Sequence, residues 1–253
     1  MYCKHGFILY FDIMGYKSIV NGSDNGSDER FKYILDLYSE KQGKLNFSFV
    51  FSNEYIKNKD RLLMRCFSDN FLFLYENRPF SECTTQVTKA NYYQTLSSMI
   101  GVAQMIQSQF LEQGILTRGS ITFGELFYNS KIIYGKSLIN AVVLEEGHPE
   151  PSIVLDPVFS SNANQNEFTY TPFVNPFMYH RNSEADHYAI VGGVKKYLQS
   201  LSLNDCSQEE KDHILYKINW MIDRMNEHFQ YSGSKQYYLE GKRLKERIVQ
   251  QRE

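Results

Sequence analysis

Two aspartates stand where carboxylates are costly. Asp12 interrupts the apolar run FILYFDIMGYK, residues 7–17, and Asp69 sits between the two apolar halves of RLLMRCFSDNFLFLYE, residues 61–76. A strand as apolar as the first belongs in a sheet interior, where an unpaired charge neutralises rather than stays ionised. Asp12 therefore needs a compensating partner. If Asp69 comes close, the two carboxylates repel each other and one pKa rises, unless a divalent cation bridges them. Hard cations such as Mg²⁺ are held by one or two protein carboxylates plus substrate phosphate oxygens, and a pair of them serves phosphoryl chemistry. Taken singly, Asp12 also fits a helix N-cap and Asp69 a turn residue.

The elements that must position these residues follow from hydrophobic periodicity. Residues 6–14 read as the first strand, and Gly15 allows a turn into helical sequence. The tetrapeptide repeat NGSDNGSD, 21–28, breaks that helix. It reads as a flexible surface loop rather than a calcium site, because its carboxylates lack the spacing and terminal Glu of an EF-hand. FKYILDLY, 31–38, resumes the helix, and residues 61–76 form a hairpin joined at Ser68-Asp69-Asn70. From 87 to 113, Leu96, Met99, Ile100, Ala103, Ile106 and Phe110 recur at helical spacing until Gly114.

Strands at 115–128 and 131–135, a short helix at 136–146 and a strand at 152–156 come next. The segment 157–185, with Phe173, Phe177 and Tyr179, either covers a core edge or lids a pocket. DHYAIVGG, 186–193, reads as a strand. Ser207 and Glu210 form a capping box ahead of a helix whose apolar stripe is Ile214, Ile218, Met221, Ile222, Met225 and Phe229. A final basic helix, roughly 235–251, reads as a solvated or dimer-contacting end rather than a nucleic-acid arm.

The order β-α-β-β-α-β predicts an α+β, ferredoxin-like fold: an antiparallel sheet with helices on one face and the other face open. Residues 1–160 are expected to make the core that carries both aspartates, and 161–253 a strand and helix extension packed on it. In such a sheet the end of strand one lies beside the hairpin, bringing Asp12 to Asp69. Strand alternation puts Arg118, Ser120 and Thr122 on one face and Ile115, Thr117, Ile121 and Phe123 on the other. Arg118 then either looks into the open side or makes a structural salt bridge.

Composition narrows the function classes. The chain has 253 residues, 42% of them hydrophobic, with 18 Phe and 19 Tyr, enough to bury one good core. A net charge of -2 gives no global attraction to nucleic acid or anionic membrane. No apolar run approaches a membrane span and no signal peptide precedes the first strand, which predicts a cytoplasmic protein. Cys3, Cys66, Cys83 and Cys206 show no CxxC spacing, so neither zinc nor a disulfide framework is indicated.

The same residues carry a family resemblance. FDIMGYK resembles the DIxGF segment of class III nucleotide cyclases, RCFSDN occupies the place of their KxxGD hairpin, and RGSITFGELFYNSKIIYGKSLINAVVLEE resembles their RxGIxxG…GxxVNxAxRxE stretch. The match spans roughly residues 7–146. It is closer still to the pyrimidine cyclases of the Pycsar antiphage systems, which carry FDxxGFK, SDS and RGGIxxG…YGxAxxxAxxLE segments.

That resemblance implies a cyclase that converts CTP or UTP to cyclic CMP or cyclic UMP, a second messenger for a separate effector protein. It implies two Mg²⁺ or Mn²⁺ ions on Asp12, Asp69 and the Ile13 carbonyl, and a homodimer with active sites between protomers. The backbone N–H groups of Met14, Gly15, Tyr16 and Lys17 would face the triphosphate. The Lys17 side chain adds a point charge or is simply solvated. Arg65 matches a base-recognition position and otherwise fits a cross-strand ion pair. The family's catalytic Asn and Arg fall on Ile139 and Val143, so both roles are empty, and Asn140 is one residue off. Arg118 is the candidate cation in their place. Two other classes remain open: a metal-dependent nucleotidyltransferase, and a non-catalytic nucleotide-binding or dimerisation module.

Overall fold

A computed structural model of the chain describes residues 4–22, 28–38, 62–129, 132–162, 173–174, 184–201 and 207–231, with 237, 239, 241–243 and 246. Most of the tetrapeptide repeat, including 23–27, and most of segment 157–185 lie outside them.

The fold is α+β, as expected. Strand β1 (Lys4–Ile13) is central, flanked by β3 (Asn70–Glu76) and β4 (Thr117–Tyr128), both antiparallel to it. β2 (Leu62–Phe67) forms the hairpin with β3, and β5 (Ile133–Tyr134) pairs with the far end of β4. On the other side β6 (Ile153–Leu155) runs parallel to β4, and β7 (Phe173–Val174) closes that edge. The strand order is β2-β3-β1-β4-β6-β7, whose first four members have the ferredoxin-like arrangement. Of the aromatic segment, the described pair 173–174 serves the sheet edge, where Val174 is buried in the core.

Side chains of β1 alternate between two buried faces. Phe7, Leu9, Phe11 and Ile13 join Phe71, Phe73 and Ile121 in the main core, covered by α3 (Gln86–Glu112) through Leu96, Met99, Ala103 and Phe110. Helices α1 (Tyr16–Asn21) and α2 (Glu29–Tyr38) add Ile19 and Ile34 to this side.

The second face is not open. Helix α4 (Lys136–Glu146) lies on it, burying Ala141 against Ile8, Tyr10, Leu72, Leu74 and Leu126. The polar alternation of β4 is the reason it fits. Ser120 Oγ donates to the Ala141 carbonyl at 2.7 Å and Thr122 Oγ1 to the Ser137 carbonyl at 3.0 Å. Both hydroxyls are fully buried, and their hydrogen bonds make that burial tolerable.

A third cluster forms beyond the sheet. α5 (Val158–Asn162) precedes α6 (Glu184–Gln199), and α7 (Gln208–Tyr231) follows. The stretch 186–193, read as a strand, is helical. Its apolar residues continue at helical spacing, with Ile190, Val191 and Val194 buried together. Gly193 marks a close helix crossing, since a Cβ there would stand 2.2 Å from the Leu111 carbonyl oxygen of α3. The capping box holds at α7: the Ser207 N–H donates to Glu210 Oε2 at 2.8 Å, and the Glu210 N–H donates to Ser207 Oγ at 3.3 Å. The predicted stripe of α7 is buried at Ile218, Met221, Ile222, Met225 and Phe229, packed with Leu111 and Leu116. Beyond 235, the described residues 237, 239, 241–243 and 246 are helical. Among the described residues, no helix is long and apolar enough to cross a membrane.

Candidate active site

Asp12 is the next-to-last residue of β1, and strand pairing sets its neighbours. It stands directly opposite Asn70 on β3 and Arg118 on β4. Directly opposed residues share a face, so Asp12, Asn70 and Arg118 all look toward the α4 side. Ser68 (φ 54°) and Asp69 form the two-residue turn of the hairpin, and the Ile13 N–H donates to the Asp69 carbonyl at 3.0 Å. The two aspartates, 57 positions apart in the sequence, thus meet at one end of the central strand.

Their electrostatics match that placement. Burial pushes the Asp12 carboxyl up, Arg118 pulls it back down, and the charge of Asp69 pushes it up again. Asp12 Oδ1 is buried with no hydrogen-bond partner, while Oδ2 makes a long 3.5 Å contact with Arg118. Asp69 is held by a relay: Tyr10 Oη donates to Asn70 Oδ1, and Asn70 Nδ2 donates to Asp69 Oδ1 at 3.0 Å. Buried Tyr10, beside Glu145, Asp12 and Asp69, has its phenol pushed up to about 12, so it remains a donor.

Glu145 escaped the sequence reading. It is 3% exposed on α4 and ion-pairs with Arg118 Nε. Burial first, then the charge of Asp12, pushes its carboxyl up to about 7 against the pull of Arg118. The signal was available in the sequence: Glu145 follows Ala141 by four positions and shares the sheet-facing side of α4. Arg118 therefore faces the predicted side but is engaged by two carboxylates.

The other predicted residues are placed as follows. Arg65 pairs with Leu72, which in turn pairs with Tyr10, so Arg65 lies on the Asp12 face two strands away, about 10 Å across the sheet. The residue directly opposite it on β3 is apolar, and its Nη1 donates to the Met64 carbonyl at 2.9 Å. Gly15 takes the left-handed conformation (φ 74°) that turns the chain into α1. The Met14 N–H is not available to a phosphate, because strand pairing continues one residue further and it donates to the Leu116 carbonyl at 2.9 Å. The Gly15, Tyr16 and Lys17 N–H groups have no such backbone bond among the described residues. Lys17 is exposed. Ile139 and Val143 project outward from α4, 64% and 61% exposed.

Among the described residues, no group of three or more His, Cys, Asp or Glu is arranged to hold a metal ion alone. The residues do fit an ion that draws its remaining ligands from a substrate: Asp12 has an orphaned buried oxygen, and the charge of Asp69 reaches it.

No protein-family model matches the chain, and no curated protein matches it. Among solved structures it is similar to the guanylyl cyclase Cya2, at 15% identity with a TM-score of 0.40, covering 68% of this chain and 90% of that one. It is also similar to a class III adenylyl cyclase-like ATP-binding protein from Pseudomonas aeruginosa, at 11% identity with a TM-score of 0.39, covering 64% of this chain and 35% of that one.

Proposed function

We propose that this chain is a metal-dependent pyrimidine nucleotide cyclase. The reaction joins the ribose O3′ of CTP or UTP to the α-phosphorus, breaks the bond between the α-phosphorus and its bridging oxygen, and releases pyrophosphate. The 3′-OH proton passes to solvent. The product, cyclic CMP or cyclic UMP, is read by a separate effector in antiphage defence. The observation that carries this reading is the meeting of Asp12 and Asp69 at the end of β1, with an unpartnered Asp12 oxygen.

Asp12, Asp69 and the Ile13 carbonyl would hold two Mg²⁺ or Mn²⁺ ions. The chemistry these ions supply when bound is a more acidic 3′-OH and a charge-stabilised pyrophosphate. The chain's own part is positioning. The Tyr10–Asn70 relay orients Asp69. The free N–H groups after Gly15, with Lys17, take up phosphate oxygens, and Arg65 donates to the base across the sheet face. Arg118 offsets charge at the α-phosphate, and Glu145 aims it. A homodimer with active sites between protomers completes the assembly.

The test is incubation of the purified protein with ATP, GTP, CTP and UTP separately in Mn²⁺, beside Asp69→Ala. The expected outcome is cyclic CMP or cyclic UMP plus pyrophosphate from wild type and neither from the variant. Template-free extension or phosphodiester cleavage instead would move the protein to a nucleotidyltransferase or nuclease class.

A second reading, a non-catalytic nucleotide-binding module, is favoured by two observations. Ile139 and Val143 are apolar where the resemblance calls for Asn and Arg, and Arg118 is tied to two carboxylates. Nucleotide binding without turnover would establish it.

A further inference from the structure

Gln107, a residue type that usually stays at the surface, is only 4% exposed on α3. Its amide is half satisfied. Nε2 donates to the Thr117 carbonyl at 3.3 Å and to the Pro151 carbonyl at 3.4 Å, both longer than an ordinary N–H···O bond. Two acceptors on that side fix the orientation of the amide, because the flipped form would set oxygen against oxygen. Oε1 therefore points elsewhere, and among the described residues it has no hydrogen-bond partner. Thr117, 3% exposed at the start of β4, poses the same problem: its Oγ1 is buried and unpartnered.

Both side chains line one cavity of about 20 Å³, walled also by Leu111, Leu116, Pro151 and Met221. Each of these residues is buried. The space exceeds the roughly 10–15 Å³ that one water needs and falls far below the roughly 300 Å³ of a small-molecule pocket. A wholly apolar hole would stay dry, but two orphaned oxygens in the wall give a water its partners. Such a water donates one proton to Gln107 Oε1, which can only accept, and makes a second bond with Thr117 Oγ1, which can donate or accept.

We propose that this cavity binds a single water molecule that bridges Gln107 Oε1 and Thr117 Oγ1, with Met221 of α7 forming part of its wall. The seat joins α3, the first residue of β4 and the C-terminal extension. Thr117 stands opposite Ile13, and Arg118 opposite Asp12, so the water lies behind the strand ends that carry the carboxylates, on the core face rather than the α4 face. The extension thereby completes a hydration site beneath that end of the sheet, whatever the carboxylates bind.

The experiment begins with a crystal structure of the full chain at a resolution that shows ordered water, and it needs no variant. One density peak within hydrogen-bond distance of both Gln107 Oε1 and Thr117 Oγ1 is expected. An unfilled cavity, or a direct bond from Thr117 to Gln107 across a closed one, overturns the inference. Thermal melts of Thr117→Val add a solution test in which the sign decides, since valine keeps the shape and removes the hydroxyl. If the cavity holds water, the variant takes away one of the water's two protein partners, and Tm should fall by about 2–4 °C. If the cavity is dry, the variant merely removes an unpaired buried hydroxyl, so an unchanged or raised Tm refutes the proposal.

Discussion

Replacing Glu145 with glutamine should flatten the pH dependence of stability. The carboxyl lies near 4.5 when unperturbed and is pushed to about 7 in the folded chain, burial outweighing the pull of Arg118. Between those values the folded state keeps a proton that the unfolded state has lost, so stability falls as pH rises. The loss begins near pH 4.5 and is complete once pH passes the folded value, about 7. At about 1.36 kcal/mol per pH unit, Glu145 alone costs up to about 3 kcal/mol across that window. For a chain of this size, each kcal/mol moves Tm by roughly 2–4 °C, giving about 6–12 °C in total. Thermal melts at pH 5 and pH 7.5, at matched ionic strength, measure it as wild type against Glu145→Gln. Other titrating groups are common to both proteins, so the difference isolates this carboxyl. Wild type should lose ground to the variant as pH rises. Parallel curves, or wild type gaining ground, would mean that Arg118 keeps Glu145 ionised throughout, and the burial argument would be refuted.

Two further substitutions probe the scaffold around the site. Gly119→Ala should destabilise by about 3 kcal/mol or more in denaturant titration, because its Cβ would lie 2.1 Å from the Tyr10 carbonyl oxygen and force β1 from β4. Tyr10→Phe keeps the ring but removes the donor that fixes Asn70 and through it Asp69. Mn²⁺ affinity, read by electron paramagnetic resonance, should fall about tenfold while Tm changes little.

The meeting of Asp12 and Asp69 was legible because element order alone puts β1 between the hairpin and β4 in a ferredoxin-like sheet. Alternation likewise placed Arg118, Ser120 and Thr122 together. What covered them was not legible, since their partners on α4 are mostly backbone carbonyls, which leave no trace in side-chain patterning. The run HYAIVGG misled for a related reason: four apolar residues fit either period, and Gly193 reports a helix crossing at Leu111 rather than a strand end. The place of α7 stayed hidden because it meets Leu111 and Leu116 through tertiary packing alone. Periodicity identified its buried stripe without indicating which cluster receives it.

The two hydroxyls of β4 grip carbonyls one turn apart along α4, like a key in a two-pin lock. Sliding or rolling that helix by a single residue strands both pins in a dry interior, so its orientation is all or nothing. Its outer rim, Ile139 and Val143, is thereby geared to its inner tooth, Glu145. The same helix therefore carries an exposed apolar rim on one side and the carboxylate that holds Arg118 on the other.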